Sequence, residues 1–127
     1  MKNILLSFLC ICFIAFYSCV KPGKGGKAIL SVHVFEGESP CNEADKTVVP
    51  NAFVYIKYGG TEADPDVSSY DDKQLTDFGG KTVFSNLKRG EYYLYAVKDT
   101  LSKTLAGGAF FDIRNRIGER EIVICAN

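Results

Sequence analysis

The sequence has no tryptophan, a single histidine and a single methionine, the latter at position 1. One histidine, His33, cannot supply the ligand set of a metal centre or the base of a nucleophilic site without partners that the sequence does not place around it. Neither sign of charge is in excess, with 15 Lys and Arg against 15 Asp and Glu. A nucleic-acid partner is therefore not expected, because its recognition needs a strongly basic face. No segment shows the i, i+3, i+4 apolar spacing of a useful helix, and no apolar run reaches the about 20 residues that cross a bilayer. Phosphate-binding loops and Ser/His/Asp contexts are missing too. The expectation is a protein that is not an enzyme and needs no cofactor and no metal.

What is present begins at the first residues. After Lys2 the chain is apolar from Ile4 to Tyr17, then reads Ser18-Cys19 followed by Val-Lys-Pro-Gly-Lys-Gly-Gly-Lys. An apolar core of that length behind one positive charge is the pattern of a secretory signal over residues 1–18. The segment Phe16-Tyr17-Ser18-Cys19 resembles the lipobox of bacterial lipoproteins, with Phe16 where Leu is usual. That resemblance implies that Cys19 is acylated, palmitate included, and becomes the first residue of the mature protein. Several acyl chains hold a protein to a membrane essentially without release. An ordinary secreted protein cut near Ser18 is the alternative. Residues 19–27 read as a flexible Gly/Lys tether whose lysines favour anionic headgroups. Val20 is not the Asp of an inner-membrane retention signal, and no acidic run follows Cys19. The resemblance thus implies the periplasmic face of the outer membrane.

The five cysteines divide accordingly. Cys10 and Cys12 leave with the signal, Cys19 takes the lipid, and Cys41 and Cys125 remain for one disulfide in an oxidising compartment. Closing so long a loop restricts the unfolded chain by roughly 4 to 5 kcal/mol in the entropic account.

The remaining residues, 28–127, suffice for one domain. Residues 28–35 alternate, with Leu30, Val32 and Val34 on one face and Ile29, Ser31, His33 and Phe35 on the other. Pro50-Asn51 opens a second alternating run over 52–58, and further strands are predicted at 73–76, 81–85, 91–98, 108–113 and 120–125. Seven short strands in a chain of this size predict an all-β, antiparallel Greek-key sandwich.

The segment from Thr76 to Ala96 (TDFGGKTVFSNLKRGEYYLYA) is the most specific. It resembles the TDxxGxxxFxxLxxGxYxL pattern of carboxypeptidase-regulatory-like domains, which have a transthyretin-like (prealbumin-like) sandwich, and Val49-Pro50-Asn51-Ala52-Phe53-Val54 resembles their "vPgAxV" strand. The spacing also has a purely structural reading. Asp77 and Gly80 suit a tight hairpin turn, Gly90 the next turn, Thr82 and Phe84 point inward, Leu87 plugs the core, and Tyr92, Leu94 and Ala96 line the next strand. The peptidase active site of the family's namesakes belongs to another domain. Transthyretin-like hydrolases of 5-hydroxyisourate carry histidine and arginine motifs that this chain lacks.

Candidate sites are few. Tyr55, Tyr93 and Tyr95, with Phe53, form a possible aromatic strip for a glycan or a partner protein, although aromatics also simply favour strands. The acidic loop containing Glu62, Asp64, Asp66, Asp71 and Asp72 offers oxygen ligands to a cation, against the plainer reading of a solvated loop. Arg114, Arg116 and Arg120 read as a basic hairpin. The implied role is a lipid-anchored envelope module of structural or interaction function, or alternatively a carbohydrate-binding accessory lipoprotein of a nutrient-uptake system.

Overall fold

The computed structural model of the protein describes residues 20–41, 47–115 and 117–127. The expected signal peptide, Cys19 and Arg116 lie outside them. Among the described residues seven strands form in order: β1 (Lys24–Glu36), β2 (Phe53–Tyr58), β3 (Asp72–Leu75), β4 (Lys81–Leu87), β5 (Gly90–Asp99), β6 (Thr104–Ile113) and β7 (Ile117–Ala126). They make two sheets, β4-β1-β7 and β3-β2-β5-β6, packed as a β-sandwich. The all-β expectation holds.

The strictly antiparallel expectation does not. β1 and β7 pair in parallel from Lys27–Ile117 to Glu36–Ala126, whereas the other four pairings are antiparallel. The cause is a parity of directions. Each connection reverses the chain, so every odd strand runs one way, and seating the seventh beside the first makes a parallel pair.

Alternation explains the core. Leu30, Val32 and Val34 of β1, Val54 and Ile56 of β2, and Tyr92, Leu94 and Ala96 of β5 are all fully buried between the sheets. Phe84 and Leu87 of β4, Leu105 and Ile113 of β6, and Ile124 of β7 complete the cluster. Phe35, on the opposite face of β1 as predicted, is nonetheless buried. It is 2 % exposed because an isolated bridge to Val48 and the ring of His33, 4.0 Å away between centroids, cover it.

Two turns were expected to close hairpins and instead carry the chain between sheets. The Asp77–Gly80 turn links β3 of one sheet to β4 of the other. Its chemistry is as predicted: Asp77 Oδ1 accepts from the amides of Gly79 (2.9 Å) and Lys81 (3.0 Å), and Gly80 has φ +73°. Buried Thr76 accepts from the Ala52 amide (2.9 Å) and donates to Val49 O (2.7 Å), tying this corner to the start of β2. The Arg114 segment likewise joins β6 to β7 across the sandwich, so the predicted basic hairpin is a crossover, with exposed Arg120 out along β7.

The expected tether is also shorter than the sequence suggested. β1 begins at Lys24, where a bulge lets Leu87 pair with both Lys24 and Ala28. Gly26 sits there because a Cβ would come within 2.1 Å of Leu87 O. Upstream, Gly23 donates its amide to the Tyr92 hydroxyl (2.8 Å), which in turn donates to Lys88 O (2.6 Å), and Lys88 N donates to Gly23 O (2.8 Å). The chain is therefore fixed to the sandwich from Pro22 and Gly23 onward.

Candidate binding face

The outer face of the four-stranded sheet carries the predicted aromatics in register. Phe53 lies between Leu75 and Val97, Tyr55 between Lys73 and Tyr95, and Lys57 beside Tyr93, which pairs with Phe110. Tyr55, Tyr93 and Tyr95 are half-buried and do not form an open strip. The reason is Tyr70. From the loop before β3 its ring stacks on Tyr95 (6.0 Å, 20°) and tilts against Tyr55 (5.7 Å, 50°). Tyr93 lies flat across the backbone of Gly108, where a Cβ would meet its Oη at 2.2 Å. Burial, then the neighbouring Tyr70 and Tyr95, raises the Tyr93 hydroxyl pKa.

The loop that brings Tyr70 down is organised by Asp64. Its carboxylate accepts from the Asp66 amide (3.0 Å), the Ser69 hydroxyl (2.9 Å) and Lys57 Nζ (3.2 Å). These donors, in that order, hold its pKa below the ordinary carboxylate value. The Asp64 backbone also clasps Tyr70, whose hydroxyl accepts from Asp64 N (3.1 Å) and lies equally close to Asp64 O. Asp66 caps the 3-10 turn Val67–Ser69 through the Ser68 amide. Asp71 accepts from the Tyr58 amide (2.7 Å), and Asp72 pairs with Lys24 (3.4 Å). These four carboxylates thus serve different protein donors, and Glu62 is exposed. Among the described residues no three His, Cys, Asp or Glu side chains converge as a metal site.

Tyr70 covers only the middle of the face. At the end nearer the start of β2, Phe53 is 39 % and Leu75 51 % exposed, with Lys73 over the Phe53 ring at 5.2 Å. Beside Tyr70 a cleft of about 410 Å³ opens between Tyr55, Tyr70 and Lys73, with Asp71 and Asp72 on its rim. Tyr70 and Leu75 were not among the sequence candidates. A lone tyrosine within a run of Ser and Asp was the available signal for the first.

Elsewhere, Cys41 and Cys125 are joined as a disulfide (Cα–Cα 5.8 Å) spanning 84 positions. His33 is a half-buried strand residue whose Nε2 lies 2.9 Å from Gly79 O.

No family model matches the chain, and no curated protein matches it in sequence. Among solved structures it is similar to PA1324 of Pseudomonas aeruginosa, a protein provisionally described as carbohydrate-binding. The two share 12 % identity at a TM-score of 0.52, over 81 % of this chain and 90 % of that one. The likeness is one of fold.

Proposed function

We propose that the protein is a lipid-anchored, non-enzymatic module of the cell envelope that presents the outer face of its four-stranded sheet to a partner protein. The anchor is Cys19, and the setting is the periplasmic face of the outer membrane. The observation that carries the reading is the cross-strand pair Leu75–Phe53, which the Tyr70 loop leaves exposed beside half-buried Val97 while it covers the neighbouring aromatics. Adjacent exposed apolar side chains on one face are what an interaction surface offers. A photo-crosslinking residue at Leu75 is expected to give a discrete adduct in cells, reduced by Phe53→Ser. One at Glu121, on the outer face of the other sheet, gives none. Equal yields from both positions contradict the assignment.

The cleft beside Tyr70 favours a second reading, the accessory carbohydrate binder. Two tyrosines, two carboxylates and a lysine around one opening are the groups that stack on a sugar ring and bond its hydroxyls. The description given to PA1324 accords with it. A glycan array on which Tyr55→Ala abolishes the signal supports this reading, and an array with no hit removes it.

A further inference from the structure

The end of the sandwich where the chain enters has a character of its own. There Lys27, Lys88 and Arg89 line a cleft of about 410 Å³ together with Val20 and Ile117, and no carboxylate among the described residues lines it. Val20 is 48 % and Ile117 70 % exposed. None of the ion pairs among the described residues engages Lys27, Lys88 or Arg89. In the adjoining cleft the carboxylate of Asp112 is held by Arg114 at 3.2 Å.

The lipid reading of Cys19 gives this arrangement a consequence. Because Gly23 is bonded to Tyr92 and Lys88, only Cys19, Val20 and Lys21 separate an acylated terminus from the packed chain at Pro22. Three extended residues span about 11 Å at most. That is only slightly more than one Debye length in physiological salt, about 8 Å, so any bend in the three residues brings the cations of this end into the field of the headgroups.

We infer that this end of the sandwich docks directly on the anionic headgroups of the leaflet that holds the lipid, with Lys27, Lys88 and Arg89 meeting phosphates and Val20 and Ile117 meeting the apolar boundary. The inference rests on acylation at Cys19. It replaces a domain swinging on a flexible tether with one held at a fixed attitude, its Phe78 and Leu101 turns pointing away from the bilayer. Each cation adds roughly fivefold to surface attraction, so the three together favour the docked attitude by roughly a hundredfold.

Amine-reactive footprinting of the full acylated protein in vesicles tests this, with Lys81 and Lys103 at the opposite end as internal controls. In phosphatidylcholine vesicles containing a third phosphatidylglycerol, Lys27 and Lys88 are expected to react at least tenfold more slowly, relative to the controls, than in pure phosphatidylcholine. High salt should remove the difference. A protein that stays on the vesicles but shows no composition-dependent protection overturns the docking and leaves the anchor intact. A protein that does not float with vesicles, its Cys19 peptide lacking acyl mass, overturns the lipid reading on which the docking depends. The variant Lys27→Gln/Lys88→Gln/Arg89→Gln keeps most of each side-chain stem and leaves the main-chain bonds of Lys88 to Gly23 and Tyr92 in place. Followed at Lys21, it should lose the salt-sensitive protection while still floating.

Discussion

The two ends of the sandwich are secured by different means. At the far end from the chain entry the security is covalent and redundant. Cys125 of β7 is bridged to Cys41, Gly37 N donates to Ala126 O, and Asn127 exchanges bonds with Ala106. At the entry end it is non-covalent, a buried hydroxyl reinforced by the main-chain bond from Lys88 N to Gly23 O. Tyr92, wholly buried, holds Gly23 and Lys88 at once, with burial raising its own pKa and the two bonds lowering it. The difference teaches where a small domain invests its fixings. The far end must hold the described segments 37–41 and 47–52 that follow β1 and precede β2, whereas the entry end must hold a terminus.

The largest expected break in this comparison is at the disulfide. Cys125→Ser, paired with Cys41→Ser to avoid a stray thiol, should lower unfolding stability by about 2 to 5 kcal/mol. Chemical denaturation with and without reductant measures it, and an unchanged midpoint contradicts a stabilising bridge. The entry-end hydrogen bonds should survive in this variant below its melting temperature.

A smaller effect lies on the sheet face between the ends. The Asp64 carboxyl has a folded pKa below its unfolded one, so its contribution to holding the Tyr70 loop is present above about pH 4 and lost as pH falls through the folded value. The sign is thus loss on acidification. Amides of the loop 61–71 should exchange faster than their intrinsic pH dependence predicts once pH is below about 4, and Asp64→Asn should show the faster exchange at neutral pH. A pH-independent protection factor would contradict the role given to Asp64.

The strands were legible because alternation is a local property: Leu30, Val32 and Val34 declare an inner face whatever lies across from them. Their partners were not legible. The parallel seating of β7 beside β1 depends on which sheet the last strand joins, and nothing in either strand's own pattern states it. For the same reason the Asp77–Gly80 turn was read correctly in its chemistry and wrongly as a hairpin, since a carboxylate cap and a positive φ serve a crossover equally well. The candidate site suffered from composition. A run of Asp, Ser and Pro reads as solvated, and the one tyrosine in it, Tyr70, decides how much of the aromatic face is open. The tether was misjudged because Gly25 and Gly26 look flexible in sequence, whereas Gly26 is there for the close passage of the Leu87 backbone.

The account turns on the entry-end lock, and Tyr92→Phe tests it most directly. Removing the hydroxyl leaves the Gly23 amide and Lys88 carbonyl without that partner, at a cost of about 1 to 3 kcal/mol. Amide exchange followed residue by residue is predicted to speed up at Gly23 and through the Gly25–Lys27 bulge, while Gly37, Ala106 and Asn127 at the far end stay as protected as in the parent. Protection that is lost uniformly, or retained at Gly23, would contradict a terminus held to the sandwich by Tyr92.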